Sequence, residues 1–135
     1  MKLVLITGSC GLVGQEVTKL FIKKKYKVIG VDNDKRKFFF GKKSSVRWVK
    51  KILTKNNNYH HFNIDIKNKS LLEKKIFKKF KNIKAIIHCA AQPSHDWATN
   101  NPMLDFEINA KATLNLLLLT KDYNKKIPFI YLSTN

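Results

Sequence analysis

The sequence predicts an α/β fold, a doubly wound sheet of five parallel strands in the order 3-2-1-4-5. Two observations and one general rule predict it. Short apolar runs alternate along the chain with segments whose apolar residues recur at helical spacing. A glycine-rich turn follows the first apolar run. Crossover connections between parallel strands are right-handed, which restricts the strand orders that such alternating elements can adopt.

The first β-α-β unit is the clearest part of the pattern. Residues 3–7 form a continuous apolar run with β-branched members, which is typical of a strand buried on both faces. A helix is predicted over 12–24, where one side is apolar and the other carries lysines. Residues 26–31 are the second predicted strand, and the acidic turn that begins at Asp32 ends it.

The later helices are predicted mainly from their start signals. Ser44 or Ser45 can cap a short helix. Ser70 and Glu73 have the spacing of a capping box, in which hydroxyl and carboxylate each accept from the other's backbone N–H. Pro102 suits the first turn of a long helix. The elements predicted after residue 31 are therefore a helix ending near 53, strand 59–64, helix 70–80, strand 83–89, a helix from 102 and strand 127–132.

The length of 135 residues fits one domain with one hydrophobic core, and 44% hydrophobic residues argue against disorder. A second domain of ordinary size has no room. A two-domain enzyme would therefore be incomplete in this chain. We expect residues 1–135 to form a single, truncated domain.

The formal net charge of +18 raises the question of a nucleic-acid partner. Of the 27 basic residues, the only arginines are Arg36 and Arg47, although base readout and bidentate phosphate contacts rely on arginine. Lysine, asparagine, isoleucine and phenylalanine enriched together are what an AT-rich genome encodes. We therefore expect no specific nucleic-acid partner, with a polyanion-binding surface as the alternative.

Cellular location is predicted from two features. The two cysteines, Cys10 and Cys89, fall in a turn and at a strand end, so a disulfide framework is not expected. The apolar run at the start ends at Thr7, too early for a signal peptide, and no segment approaches the roughly 20 apolar residues of a membrane span. The expectation is a cytoplasmic protein without a membrane partner.

The glycine-rich turn predicts a phosphate site. Gly8, Gly11 and Gly14 stand between the first strand and the first helix at a G-x-x-G-x-x-G spacing. Glycines at this place serve a tight turn, a close approach of backbone to a diphosphate, and close packing of helix on strand. The diphosphate would then meet free N–H groups at the positive end of the helix dipole.

Two acidic strand ends extend this prediction to a dinucleotide. Asp32 ends the second strand, where a carboxylate can accept both hydroxyls of an adenine ribose and would repel the 2′-phosphate of NADP. NAD is therefore favoured, although Lys35 and Arg36 could accommodate that phosphate. Asp65, with Ile66, ends the third strand and could meet the adenine edge. The alternative for both aspartates is an ordinary turn role.

Further segments resemble a known family. The chain is similar throughout its length to the extended short-chain dehydrogenase/reductase superfamily, whose sugar-nucleotide branch is the NAD-dependent epimerases and dehydratases. The resemblance is carried by Thr7–Gly14, Asp32-Asn33-Asp34, Asp65-Ile66, Ala90-Ala91-Gln92 and Asn109 before 113–116. Within it, Phe39-Phe40-Gly41, Arg47-Trp48 and above all residues 90–98 resemble the CDP-paratose 2-epimerases, also called CDP-tyvelose epimerases.

The resemblance implies a Rossmann-like fold and a tightly held NAD that takes a hydride from C2 of a CDP-sugar and returns it to the other face. It assigns residues to the pyrophosphate, the ribose, the adenine and the cofactor wall, and it gives Thr134 a catalytic role as the hydroxyl beside the reacting sugar oxygen. The implied cofactor residues are Gly8, Cys10, Gly11, Leu12, Val13, Gly14, Asp32, Asn33, Arg36, Asp65, Ile66, Ala90, Ala91, Gln92 and Asn109. An oligomer of the full-length form stays open.

The chain departs from that family at two points. Ala112 stands where relatives usually have glycine, which concerns helix packing. More important, no tyrosine is followed four residues later by lysine, the pair that supplies the family's general base. An unassisted tyrosine, with a pKa of about 10, is a poor base. We therefore expect that pair and the sugar-nucleotide domain beyond these residues, and no turnover by this chain alone. Other extended reductases and a stand-alone nucleotide-binding module are the alternatives.

The histidines lack the spacing of a zinc site, so no metal is expected. His88 falls within a buried strand and is expected to pack in the core. His95, Asp96 and Trp97 follow the fourth strand at the ligand edge, where they can contact the substrate or support the loop.

Overall fold

The computed structural model describes residues 2–132. Its five strands are all parallel and pair in the order β3-β2-β1-β4-β5, which confirms the predicted sheet. The strands are β1 Leu3–Thr7, β2 Lys27–Val31, β3 Tyr59–Phe62, β4 Ile83–His88 and β5 Phe129–Tyr131. Strand order reverses between β1 and β4, and ligands of such sheets bind at the carboxyl ends of strands near that point.

Helices connect the strands on both faces. They are α1 Leu12–Lys23, α2 Arg36–Phe40, α3 Arg47–Leu53, α4 Lys69–Leu72, α5 His95–Asn100, α6 Pro102–Phe106 and α7 Ala112–Asn124. A 3₁₀ turn at Lys42–Ser44 precedes α3. The π-helical turn Glu73–Phe77 continues α4, and a second π-helical turn, Glu107–Lys111, joins α6 to α7.

Because successive strand residues point to opposite faces, β1 contributes to two separate cores. Leu5 belongs to the core that α4 and α7 cover, with Leu72 and Leu116. Val4 and Ile6 belong to the core on the other face, with Val17 and Phe21 of α1 and Val49 of α3 packed there. Burial on both faces explains why β1 is a continuous apolar run rather than an alternating one.

The capping box predicted at Ser70 and Glu73 is wrong. The N-cap of α4 is Asn68, whose side-chain oxygen accepts from the Leu71 N–H at 2.9 Å. Glu73 instead pairs with Lys78 at 2.7 Å. An asparagine two residues earlier already satisfies a donor of the first turn, so Ser70 lies inside the helix.

The cap predicted for α3 also differs. The N-cap is Val46, and its N–H donates to Asp34 Oδ1 at 2.8 Å. Ser45 is a weak local acceptor, 3.4 Å from the Arg47 nitrogen, and its hydroxyl donates to Asp34 as well. The predicted serine cap is therefore absent, and Asp34 instead binds the two residues that lead into α3. The short helices α2 and α5 were not predicted.

Candidate functional site

The loop between β1 and α1 is fixed by two close backbone contacts. Gly8 has a φ of +64°, and a Cβ there would lie 2.7 Å from the Ala90 nitrogen. At Gly14, in the first turn of α1, a Cβ would lie 1.9 Å from the Gly8 carbonyl oxygen. No side chain fits at such distances, so both positions require glycine. The tight turn and the close helix packing predicted for this loop are present.

The middle glycine, Gly11, borders open space. Beyond its own neighbours, a Cβ there would meet one atom, the Gly8 carbonyl oxygen at 3.2 Å. Gly11 is the N-cap of α1, where no side chain caps the helix and no acidic residue lies in the first turn. Among the described residues, the N–H groups of Leu12, Val13 and Gly14 have no acceptor. The positive end of the α1 dipole therefore faces a surface that suits an anion.

Asp32 follows β2 and turns its carboxylate toward this loop. Its Oδ2 accepts from the Cys10 N–H at 3.0 Å, and its Oδ1 accepts from the Asp34 N–H at 2.8 Å. Each oxygen keeps acceptor capacity for another donor, such as a ribose hydroxyl. Burial raises the pKa of Asp32, and the two N–H bonds oppose that rise. The predicted juxtaposition of glycine loop and carboxylate is therefore present.

Two of the lysines near Asp32 form ion pairs. Lys35 pairs with Asp65 at 2.6 Å, and Lys37 pairs with Asp34 at 3.2 Å. The exposed Arg36 lies with its guanidinium carbon 5.0 Å from an aromatic ring centroid of its own helix. Burial alone would raise the pKa of Asp65, but Lys35 and a backbone N–H hold it below its ordinary value. Neither lysine is an uncompensated charge beside the Asp32 carboxylate.

A cavity of about 170 Å³ opens beside Asp32. Its lining comes from the glycine loop, the β2 end, α2, α3 and the β3 end: Cys10, Asp32, Asn33, Asp34, Lys37, Val46, Arg47, Lys50, His61 and Asn63. Asn33 is thus at the site, and its Oδ1 accepts from the Lys35 N–H at 3.2 Å.

The segment after β4 reaches the same edge but turns one predicted side chain inward. Gln92 is buried, and its amide nitrogen donates to Asp105 Oδ1 at 3.0 Å and to a backbone carbonyl. The Gln92 N–H donates to Asn109 Oδ1 at 2.8 Å. Ala90 is half-buried and Ala91 is exposed. Ala90 and Ala91 therefore offer small side chains and backbone to a ligand, whereas the side-chain amide of Gln92 is bound within the protein.

His95, Asp96 and Trp97 lie in the first turn of α5 rather than in a loop. The Trp97 ring packs on Phe38 and Phe39 of α2, with centroid distances of 4.8 and 5.8 Å. Its indole N–H donates to the Phe39 carbonyl at 3.2 Å. Trp97 therefore holds α5 against α2, whereas the side chains of His95 and Asp96 are exposed.

Two further predicted positions differ in what the structure says of them. The Ile66 side chain is buried in the core, and its N–H has no acceptor among the described residues, so only backbone is available to a ligand there. Thr134 lies outside the described residues, and its catalytic role stays a prediction.

A buried polar cluster beneath the glycine loop was not predicted from the sequence. The Tyr59 hydroxyl lies 2.8 Å from Ser9 Oγ and 3.0 Å from His61 Nδ1. Its ring crosses β2 over Gly30, where a Cβ would lie 2.3 Å from that ring. Burial raises the pKa of the Tyr59 phenol above its ordinary value and that of the Cys10 thiol to about 11, so both stay neutral. A glycine inside an apolar strand was the available signal.

Three further features of the described residues bear on function. Within residues 2–132, no group of His, Cys, Asp or Glu is arranged to hold a metal ion. No helix in that part of the chain is long and apolar enough to cross a bilayer. A wider groove of about 710 Å³ lies by Ile83 and Tyr123, at the amino end of β4 and therefore away from the glycine loop.

The sequence of this chain is similar to those of known proteins. A model of the NAD dependent epimerase/dehydratase family matches residues 4–135. The CDP-paratose 2-epimerase of Salmonella typhi is 34% identical over the whole chain, which covers 37% of that protein. The UDP-glucuronate 4-epimerase of Thermodesulfobacterium geofontis is 35% identical over 126 residues, 93% of this chain and 38% of that protein.

Solved structures show the same fold. The UDP-glucose 4-epimerase of Thermotoga maritima, solved with UDP-glucose, has a TM-score of 0.77 at 29% identity and matches 99% of this chain and 38% of its own. That of Thermus thermophilus, solved with NAD, has a TM-score of 0.71 at 27% identity, over 91% of this chain and 34% of its own. The chain spans little more than a third of the length of the curated relatives it matches.

Proposed function

The chain belongs to the NAD-dependent epimerase/dehydratase family, and we propose that it is the NAD-binding, N-terminal part of a sugar-nucleotide epimerase. The observation that carries the proposal is the Cys10 N–H bound to the Asp32 carboxylate at 3.0 Å, because it joins the phosphate loop to a ribose acceptor. The sugar reaction assigned to it is epimerisation at C2 of a CDP-sugar, supported by 34% identity to a CDP-paratose 2-epimerase.

The residues present fit the cofactor. The free N–H groups at the start of α1 would hold the diphosphate, with Gly11 letting it approach the backbone. The Asp32 carboxylate would accept the two ribose hydroxyls, with Asn33 and Arg36 beside it. The remaining contacts assigned to NAD are the side chains or backbone of Cys10, Asp65, Ile66, Ala90, Ala91, Gln92 and Asn109.

NAD rather than NADP is supported by charge. A 2′-phosphate on that ribose would lie against the carboxylate of Asp32, and Lys35 and Lys37 already pair with Asp65 and Asp34. When bound, NAD supplies the oxidant that removes and returns the hydrogen at the sugar carbon. The protein's part is to orient the cofactor and to keep water from the reacting edge.

Substrate contacts are proposed at the start of α5. His95 and Asp96 are exposed at the ligand edge and are the proposed contacts to the sugar nucleotide, with Trp97 supporting them. No tyrosine of the 135 residues precedes a lysine by four positions, so these residues hold no such base and we expect no epimerase turnover from them. The protein is proposed to act in the cytoplasm.

Calorimetric titration of the chain with NAD and with NADP tests the cofactor proposal. We expect binding of NAD and weaker binding of NADP. Equal affinity for both would contradict the role given to Asp32, and the absence of any NAD binding would contradict the proposed function itself.

A UDP-sugar 4-epimerase is the second candidate, because a UDP-glucuronate 4-epimerase is 35% identical to the chain. Both candidates use the same cofactor site. Incubating the full-length protein with CDP-sugars and UDP-sugars, and following which carbon inverts by proton NMR, separates them.

A further inference from the structure

A buried histidine lies between the glycine loop and the segment after β4. His88 ends β4 and is 1% exposed. Its Nδ1 is hydrogen-bonded to the hydroxyl of Thr7, the residue before the glycine loop. Its Nε2 lies 2.8 Å from the hydroxyl of Thr113 on α7. The sequence predicted a packed core residue, and the ring is indeed buried, but both ring nitrogens are used.

The directions of these bonds follow from counting protons. The Thr113 hydroxyl donates to the Asn109 carbonyl at 2.7 Å, and a carbonyl cannot donate in return. The Thr113 oxygen must therefore accept from His88, which places the ring proton on Nε2. Burial lowers the pKa of His88 to about 4, so at neutral pH the ring is uncharged and Nδ1 carries no proton.

The other side of the ring is then determined as well. An unprotonated Nδ1 accepts, so the Thr7 hydroxyl donates to it. The Thr7 oxygen is thereby left as an acceptor, and the Ala90 N–H donates to it at 3.3 Å. The chain of bonds thus runs from the Ala90 N–H through Thr7 to His88, and from His88 through Thr113 to the Asn109 carbonyl.

Asn109 connects this chain to a second point in the same segment. Its side-chain oxygen accepts from the Gln92 N–H at 2.8 Å, and its amide nitrogen donates to Asp105 at 2.9 Å. Asn109 lies in the π-helical turn between α6 and α7, an irregularity that often marks functional positions. The Ala90 end of the 90–92 segment is therefore bound directly to Thr7, the residue that precedes Gly8. The Gln92 end is connected to Thr7 through Asn109, Thr113 and His88.

We infer that His88, as the neutral Nε2–H tautomer, is a positioning residue that sets the backbone of residues 90–92 relative to the glycine loop. The inference rests on the proposed function, because that segment is assigned to the NAD site. His88 is buried, and we assign it no contact with the cofactor. It orients two hydroxyls of opposite role, because its Nδ1 accepts from Thr7 and its Nε2–H donates to Thr113.

The first test is the tautomer itself. Nitrogen NMR of the chain labelled at histidine is expected to report a protonated Nε2 and an unprotonated Nδ1 for His88 at neutral pH. A ring protonated on Nδ1, or on both nitrogens, would overturn the inference. This measurement needs no cofactor, so it is independent of whether the chain binds NAD.

Three variants separate the two halves of the bond chain. His88→Asn can replace the acceptor near Thr7, His88→Gln can replace the donor near Thr113, and His88→Leu replaces neither. We expect His88→Leu to shift the amide resonances of both Ala90 and Gln92. The Asn variant should restore that of Ala90, and the Gln variant that of Gln92. Amides unmoved in His88→Leu, or restored together by one variant, would contradict the inference.

Affinity for NAD then tests the functional consequence. His88→Leu is expected to weaken binding by about tenfold, the scale of one lost hydrogen-bond arrangement, with partial recovery in the Asn and Gln variants. Ile76→Val, a buried apolar substitution outside this chain of hydrogen bonds, controls for a general loss of stability. Unchanged affinity in His88→Leu would overturn the positioning role. If the unsubstituted chain failed to bind NAD, the proposed function would fall, while the amide shifts would still decide the bond chain.

Discussion

The Cys10 N–H and the Asp32 carboxylate are joined by a 3.0 Å hydrogen bond, so the phosphate loop and the tip of β2 form one continuous surface. Neither residue could keep this position alone. The Cys10 N–H needs an acceptor in a buried turn, and the buried carboxylate needs donors that offset its lost hydration.

Replacing Asp32 by Ala is predicted to weaken NAD binding by about tenfold, because one charge-assisted acceptor of the ribose is lost. Calorimetric titration measures the change. Asp122→Ala removes an equal charge from α7 at the opposite groove and should leave the affinity unaltered. If both variants bound NAD as the parent does, the ribose role of Asp32 would be wrong.

Gly14→Ala is predicted to destabilise the chain by about 3 kcal/mol, because the new Cβ would lie 1.9 Å from backbone that cannot rotate away. Alanine's better helix propensity returns about 1 kcal/mol, too little to change the sign. Gly41→Ala is the matched control. Its φ of +83° strains a side chain, but nothing lies within 4 Å, so the expected loss is about 1 to 2 kcal/mol. Urea unfolding measures both, and a smaller loss for Gly14→Ala would refute the packing argument.

The Tyr59 and Ser9 hydroxyls, 2.8 Å apart, are predicted to stabilise the folded chain jointly. A double-mutant cycle of Tyr59→Phe and Ser9→Ala should give a coupling of about 1 kcal/mol. Tyr59→Phe should cost more than Ser9→Ala, since it also removes the bond to His61. Tyr26→Phe is the control, because the Tyr26 ring packs on Phe21, which is not part of this hydroxyl pair. Additive losses would mean that the contact contributes nothing.

Acid is predicted to destabilise the fold through two histidines. Burial, reinforced at His61 by Lys50, lowers the pKa of His61 and His88 from 6.5 to about 4. The unfolded chain therefore takes up protons that the folded chain does not, and stability present above about pH 6.5 is lost as the pH falls toward 4. His88 alone accounts for about 2 kcal/mol between about pH 7 and about pH 5.

Urea unfolding at several pH values measures this dependence. His88→Gln should flatten the curve, and His60→Gln, whose ring is exposed on β3, should leave it as it is. A curve equally steep in His88→Gln would place the proton uptake elsewhere.

The sheet and the glycine loop could be predicted because their signals are local. A strand that is buried on both faces needs a continuous apolar run, and a close approach of two backbone segments needs glycine. Both requirements are visible in the residues of the segment concerned. The helices α2 and α5 have no such local signal in the sequence. They are held together by Trp97 against Phe38 and Phe39, residues some 58 positions apart in the chain.

Hydrogen bonds at the site could not be predicted for the same reason. The side-chain amide of Gln92, a residue assigned to the cofactor wall, is bound by Asp105 from α6. The hydroxyl of Ser45, one of the two serines expected to cap α3, donates to Asp34 instead. In each case a partner distant in sequence offered a better hydrogen bond than the neighbours did, and sequence spacing cannot reveal that competition.

The missing methyl group at Gly30 gives Tyr59 its path across β2, since any Cβ would overlap the ring. Evolution of these two positions should therefore be correlated. Among homologous chains, an aromatic residue at 59 should occur with glycine at 30, and a larger residue at 30 should occur with a side chain at 59 too short to reach the loop. Where that exchange has happened, Ser9 loses its partner, and a non-hydroxyl residue becomes acceptable there.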